Sequence, residues 1–206
     1  MSILVLTDIH GQRTVASLID EHCGHHSYGG VFMLGDLCNR NDENALHFAN
    51  TFIDTIVNKQ HCPLYCIHGN NEPQSVKRLY EQRDVSVHFN PKPLSTYLPA
   101  RASQWQAGAV DSKVVGIGYG DDIPTDPHFA AGKILLTHEP PHVATLRNMQ
   151  TIDFPNAPII HFAGHLHSLA KIWRLKNSVM VQVPSAMYKK AAILTLPSLH
   201  VSFISL

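Results

Sequence analysis

Excess charge of either sign is missing from this 206-residue chain: 16 Lys and Arg balance 16 Asp and Glu, for a formal net charge of zero. No clustered basic run marks a nucleic-acid surface, so a nonspecific DNA-binding role is disfavoured. Long hydrophobic runs are absent as well. The N-terminal stretch Ile3–Leu6 is too short for a secretory core and has no basic residue before it. No later run approaches membrane-spanning length, and a cytoplasmic location is expected. Cysteine is scarce, with four residues and no zinc-finger spacing. Cys62 and Cys66 fall on one expected strand, about 13 Å apart at the usual rise, beyond the roughly 7 Å that a disulfide tolerates. Reduced thiols are therefore expected. Metal sensing or storage would call for Cys-rich or repeated ligand tracts, which are lacking. Linkers, internal repeats and low-complexity segments are also lacking, so residues 1–206 read most simply as one domain with room for a sizeable core.

Histidine is what the chain has in excess, 15 in all. His22, His25 and His26 sit in a Gly-containing stretch that reads as a solvated loop. Four others close an ordered series. Asp8-Ile9-His10, Gly35-Asp36, Gly69-Asn70, His138 and Gly164-His165-Leu166-His167 each follow an apolar run. Such runs read as strands buried on both faces: Ile3–Leu6, Val31–Leu34, Leu64–Ile67, Ile134–Thr137 and Ile159–Ala163.

Between the first three strands lie helical patterns. One runs through Val15, Ala16, Leu18 and Ile19. The next, capped by Asn41 or Asp42, has the face Ala45, Leu46, Ala49, Phe52, Ile53, Ile56 and Val57. Short links between alternating strands and helices imply a parallel sheet with right-handed crossovers. Ligands gather at the carboxyl ends of strands in such sheets, where Asp8, Asp36 and Asn70 stand. Gln74–Arg83 reads as a polar surface helix, and Val85–Pro99 as Pro-rich loop or edge strand. Short strands follow at Gln104–Val110, Val114–Tyr119, Ala170–Leu175, Val179–Val183, Ala191–Thr195 and His200–Ile204, the last four as a tail of antiparallel hairpins. Two sheets packed face to face and flanked by helices result.

The ordered motifs resemble those of the calcineurin-like metallophosphoesterase family, D-x-H, G-D-x-x-D-R, G-N-H-[DE], H and G-H-x-H, from Asp8 to His167. The resemblance implies an α/β fold, a four-layer αββα sandwich of two mixed sheets flanked by helices (the metallo-dependent phosphatase fold). It also implies two divalent metal ions. Carried over position by position, one would be held by Asp8, His10, Asp36 and His167. The other would be held by Asp36, Asn70, His138 and His165, with Asp36 bridging. Manganese is favoured by the resemblance, while iron, zinc and nickel suit the same donors. Two residues depart from the pattern: Asn39 stands where the family usually has aspartate, and Asn71 where most members have histidine.

The implied reaction is hydrolysis of a phosphoester by a metal-bridging hydroxide. Arg40 either binds phosphate through its planar fork or anchors its loop. Asn71 can donate a hydrogen bond but cannot serve as a general acid, which points to esters with good leaving groups. Glu72 would replace the missing acid only if burial raised its pKa. The expected substrate is a small phosphoester or nucleotide-type molecule, with a phosphodiesterase as first reading and a phosphomonoesterase or nucleotide phosphatase as second. A non-catalytic, metal-binding scaffold for protein partners is the reading from another class. Sequence leaves the oligomeric state open. Gly120-Asp121-Asp122, His61 and His88 fit no ligand slot, and His161 reads as a core or surface residue rather than a support for a ligand.

Overall fold

A computed structural model describes residues 1–94, 113–122, 124, 126, 128–139, 158–174 and 178–206. The expected strand Gln104–Val110 lies outside these residues, as does part of the Pro-rich segment. Two mixed sheets face one another. The first has the order β11-β10-β1-β2-β3, built from β1 (Ser2–Leu6), β2 (Gly30–Met33), β3 (Leu64–Cys66), β10 (Lys190–Thr195) and β11 (His200–Ser205). The second has the order β4-β5-β6-β7-β9-β8, from β4 (Lys92–Pro93), β5 (Lys113–Ile117), β6 (Ile134–Thr137), β7 (Ile160–Ala163), β8 (Lys171–Arg174) and β9 (Val179–Gln182).

The continuous apolar runs split by the two-residue period of a strand. Ile3 and Val5 join Phe32, Leu34 and Tyr65 in the core between the sheets, meeting Ile134, Leu136, Ile160 and Phe162 from the other side. Leu4 and Leu6 point the opposite way, into a second core beneath the helices α1 (Arg13–His25), α2 (Ala45–Asp54) and α3 (Gln74–Gln82). A smaller cluster, Val115, Ile117, Ala130 and Leu135, covers part of the outer face of the second sheet. Strands β1, β2 and β3 are parallel neighbours, and so are β5, β6, β7 and β9. The tail divides between the sheets: β8 pairs antiparallel with β9 in one, while β10 pairs antiparallel with both β1 and β11 in the other.

Local readings need correction at three points. Helix α1 extends to His25, so His22 and His25 are helical, and His22 Nε2 lies 2.6 Å from the Tyr28 hydroxyl. Helix α2 starts at Ala45 rather than beside Asp42, whose carboxylate instead accepts from the Asn44 N–H in the preceding turn (2.8 Å). Its buried face takes Phe48 in place of Leu46, which is exposed. Cys62 precedes β3 rather than lying on it, and all four cysteines are free and buried.

Candidate metal centre

Asp8 follows β1, Asp36 follows β2 and Asn70 follows β3, so three neighbouring parallel strands deliver oxygen ligands to one sheet edge. His138 follows β6, and His165 and His167 follow β7, at the matching edge of the facing sheet. Several of these residues sit in left-handed backbone: φ is 55° at Asp8, 54° at His10, 55° at Asp36 and 69° at His165. Conformations of this kind cost about 1–3 kcal/mol each and persist only where the surroundings enforce them. Backbone bonds do so here. Asp8 N donates to Gly35 O (3.1 Å), His10 N to Asp36 O (2.9 Å), and the Ser185 hydroxyl to Asp8 O (2.9 Å). Gly35 and Gly69 let the loops after β2 and β3 touch: a Cβ on Gly69 would lie 2.2 Å from Asp36 Oδ1, and one on Gly35 2.5 Å from Gly69 N.

Two ligand corners are visible. At the first, Asp8 Oδ1 lies 3.2 Å from His167 Nε2 and 3.7 Å from His10 Nε2, which is 3.8 Å from Asp36 Oδ2. The other Asp8 oxygen is occupied, accepting from the Thr7 hydroxyl at 2.5 Å and the His165 N–H at 3.0 Å. Asp8 Oδ1 and His10 Nε2 are shielded from water yet make no hydrogen bond. Buried polar atoms are nearly always satisfied, so two orphans aimed at one point mark a place for a cation. At the second corner Asn70 Oδ1 is 2.9 Å from His138 Nε2 and 3.1 Å from His165 Nδ1, with the two imidazole nitrogens 3.2 Å apart. Asp36 Oδ2 lies 3.5 Å from His138 Nε2 and so touches both corners. The seven residues singled out as ligands are thus brought together, and their mix of carboxylate, amide and imidazole donors fits divalent transition ions.

The field of the site suits a cation. Burial alone would raise the Asp36 pKa, but His138 and the two Asn71 bonds outweigh it and hold the carboxyl at about 2. The Asp8 carboxylate raises the pKa of His10. Burial works against a charged His138, yet the Asp36 carboxylate overcomes it and raises that pKa too. Protons on these rings feel the same negative potential that a metal would.

The supporting residues explain both departures from the motif. Asn39 faces His10 twice: its Oδ1 lies 2.8 Å from His10 Nδ1, and its Nδ2 donates to His10 O at 3.0 Å. An acceptor at Nδ1 fixes the tautomer that leaves Nε2 free for metal. The Leu34 carbonyl, 2.8 Å from His138 Nδ1, does the same for that ring. Asn71 is spent on Asp36, its backbone N–H donating to Oδ1 and its amide Nδ2 to Oδ2, each at 2.7 Å. Arg40 donates to Asn70 O at 2.6 Å while remaining exposed.

Glu72 is not positioned as a proton donor. Burial first, and Asp36 second, raise its pKa, but both oxygens are engaged as acceptors. They take the N–H groups of Asp36 (2.9 Å), Leu37 (2.6 Å) and Gly69, and the Tyr80 hydroxyl (3.1 Å). The buried carboxylate ties the Asp36 loop to the Gly69 loop. Sequence reasoning missed this hub; the signal for it was an acidic residue directly after two ligand-type asparagines.

His161 is a core residue, its Nε2 2.8 Å from the Thr137 hydroxyl. His61 joins no ligand corner. His88 and Asp121, which had no slot, meet one another and His68 at a separate place.

No curated protein sequence matches the chain significantly. Solved structures share its fold. TT1561 of Thermus thermophilus superposes with a TM-score of 0.69 at 14% identity, covering 99% of this chain and 98% of that one. A structure described as a novel archaeal phosphodiesterase gives 0.62 at 11% identity, over the full length of both chains. The 5'-nucleotidase of Candida albicans gives 0.58 at 16% identity; this chain is covered to 99% but spans 51% of that protein. Among the described residues no helix is long and apolar enough to cross a membrane. The family model for calcineurin-like phosphoesterases matches residues 1–169, which include every ligand at the two corners, and the chain belongs to that family.

Proposed function

We propose that the protein is a metal-dependent phosphodiesterase acting on small phosphoesters whose leaving groups need no protonation. The observation that carries the metal dependence is the pair of buried, unpartnered atoms Asp8 Oδ1 and His10 Nε2. One ion would be held by Asp8, His10, Asp36 and His167, and the second by Asp36, Asn70, His138 and His165. When bound, such ions supply a water of lowered pKa and polarise phosphoryl oxygens. Two divalent charges against two carboxylates leave the centre positive enough to draw in a phosphate.

The chain's own contributions are positional. Asn39 and the Leu34 carbonyl orient imidazoles, and Asn71 holds both oxygens of the bridging carboxylate. With its amide engaged there, Asn71 has neither a proton to give nor a free hand for the leaving oxygen. Glu72 cannot stand in, since four donors already occupy it. General-acid help is worth about 10²–10⁴-fold, so aryl esters and phosphoanhydrides are favoured over simple alkyl esters. Its bond to Asn70 O supports Arg40 as a loop anchor.

The test is hydrolysis of an aryl phosphodiester and the matching monoester by metal-stripped protein, with manganese, zinc or nothing added back. Metal-dependent turnover, faster on the diester and lost in Asp36→Asn, is the expected result. Faster turnover of the monoester would move the assignment to a phosphomonoesterase or nucleotide phosphatase. No turnover with either metal bound would favour a scaffold.

A further inference from the structure

His68, His88 and Asp121 come from three parts of the chain and converge away from the two corners. His68 follows β3, two residues before Asn70; Asp121 lies in the loop after β5. His88 sits on a short segment that bridges the sheets, for Val87 N donates to Cys66 O (3.0 Å) and Gly116 N donates to Val87 O (2.9 Å). Asp121 Oδ2 is 3.1 Å from His68 Nε2 and 2.7 Å from His88 Nε2. All three ligand-type atoms fall within 4.8 Å of one another.

Close approach alone would describe a hydrogen-bonded triad, but the directions are wrong for one. His88 Nε2 and Asp121 Oδ2 are shielded from water and neither makes a hydrogen bond, despite their separation. They share this property with Asp8 Oδ1 and His10 Nε2 at the first metal corner. Gly118 supplies an independent sign. A Cβ there would lie 2.0 Å from His68 Cε1, 2.2 Å from His68 Nε2 and 2.5 Å from Asp121 Oδ2. The one residue type without a side chain stands where any side chain would displace two of the converging groups.

We propose that His68, His88 and Asp121 form a third, mononuclear metal site for a zinc-class divalent ion. Two imidazole nitrogens and one carboxylate are a donor set suited to zinc, cobalt or nickel and poorly suited to magnesium or calcium. Three protein ligands leave a tetrahedral position open. Zinc–ligand bonds of about 2.0–2.2 Å place tetrahedral neighbours about 3.3 Å apart, so the ring nitrogens need to open from Asp121 by only a few tenths of an ångström. Beside the site lies a cavity of about 210 Å³ that Lys77 and Glu81 also line. One carboxylate and two neutral imidazoles leave the bound ion with a net positive charge. Lys77 adds to it and Glu81 offsets it, so water or a small anion completes the shell. The ion clamps the bridging segment to β3 and the β5 loop at once, next to the turn that carries Asn70.

Native mass spectrometry and elemental analysis of the full chain reconstituted with zinc test this directly, without reference to turnover. Wild-type protein is expected to hold one more zinc per chain than either His88→Ala or the near-isosteric Asp121→Leu, which has no donor atom. Asp36→Leu should lose zinc from the other centre and keep this one. An unchanged zinc count in folded Asp121→Leu would overturn the third site, whatever the substrate specificity of the enzyme proves to be. Should His88→Ala fail to fold, Asp121→Leu alone decides.

Discussion

Asn39 shows how one amide fills a place usually given to a carboxylate. It accepts at His10 Nδ1 and braces the same residue through its backbone carbonyl. Partners of this kind are worth about 10–100-fold in metal affinity, so Asn39→Ala should weaken manganese binding by about that factor while Asn39→Asp keeps it. Calorimetric titration of the stripped proteins reads this; equal affinities for wild type and Asn39→Ala would end the orienting role. At this scale the convergence of the candidate ligands was legible from sequence, because Asp8, Asp36, Asn70, His138 and His165 each stand just past an apolar strand. What surrounds them was not. The Asn71 bonds to Asp36 and the four donors on Glu72 depend on two loops meeting, 35 residues apart, and no local pattern reports that meeting. His68, His88 and Asp121 escaped for the same reason.

Strands β6 and β7 carry a buried His161 bonded to Thr137. Burial depresses its pKa to about 4, against 6.5 for the free side chain. Between those values the unfolded chain binds a proton at this ring that the folded protein refuses. Stability is therefore full above pH 6.5 and falls as pH drops toward 4, by up to about 3 kcal/mol from this group. The urea midpoint should fall more steeply between about pH 7 and about pH 4.5 in wild type than in His161→Gln; parallel curves would refute the assignment. Strand positions were readable because parallel, doubly buried strands are nearly continuous apolar runs. Helix edges were less so. Leu46 matched the helical period of its neighbours yet points outward, since α2 begins at Ala45 and the phase of its buried face is set by packing into the helix-side core and against α3.

Taken as a whole, the proposed metal centre adds an ionic tie between two sheets that already meet through apolar side chains and through the backbone of the Val87 segment. Asp8, Asp36 and Asn70 belong to one sheet; His138, His165 and His167 to the other. Ions held only by the folded state stabilise it by mass action, about 4 kcal/mol at a thousandfold excess over Kd. For a chain of this size that corresponds to a Tm about 10 °C higher. Chelation should lower the calorimetric Tm by about this amount, and add-back of manganese or zinc should restore it. A Tm indifferent to chelator would mean that the sheets need no ionic tie.

The pairing of β1 with β10 sets a schedule. β1 is made before the other described strands and lies in the middle of its sheet, where one edge waits for Lys190–Thr195. Asp8, at its end, is finally gripped by Ser185 and Met187. The ribosome releases the chain N-terminus first. Until residues 165–187 have emerged, Asp8, His10 and Asp36 lack His165, His167 and the bonds that grip Asp8. On the proposed ligand set, metal selection would thus be a late event, made by an assembled fold rather than by its first-made strands.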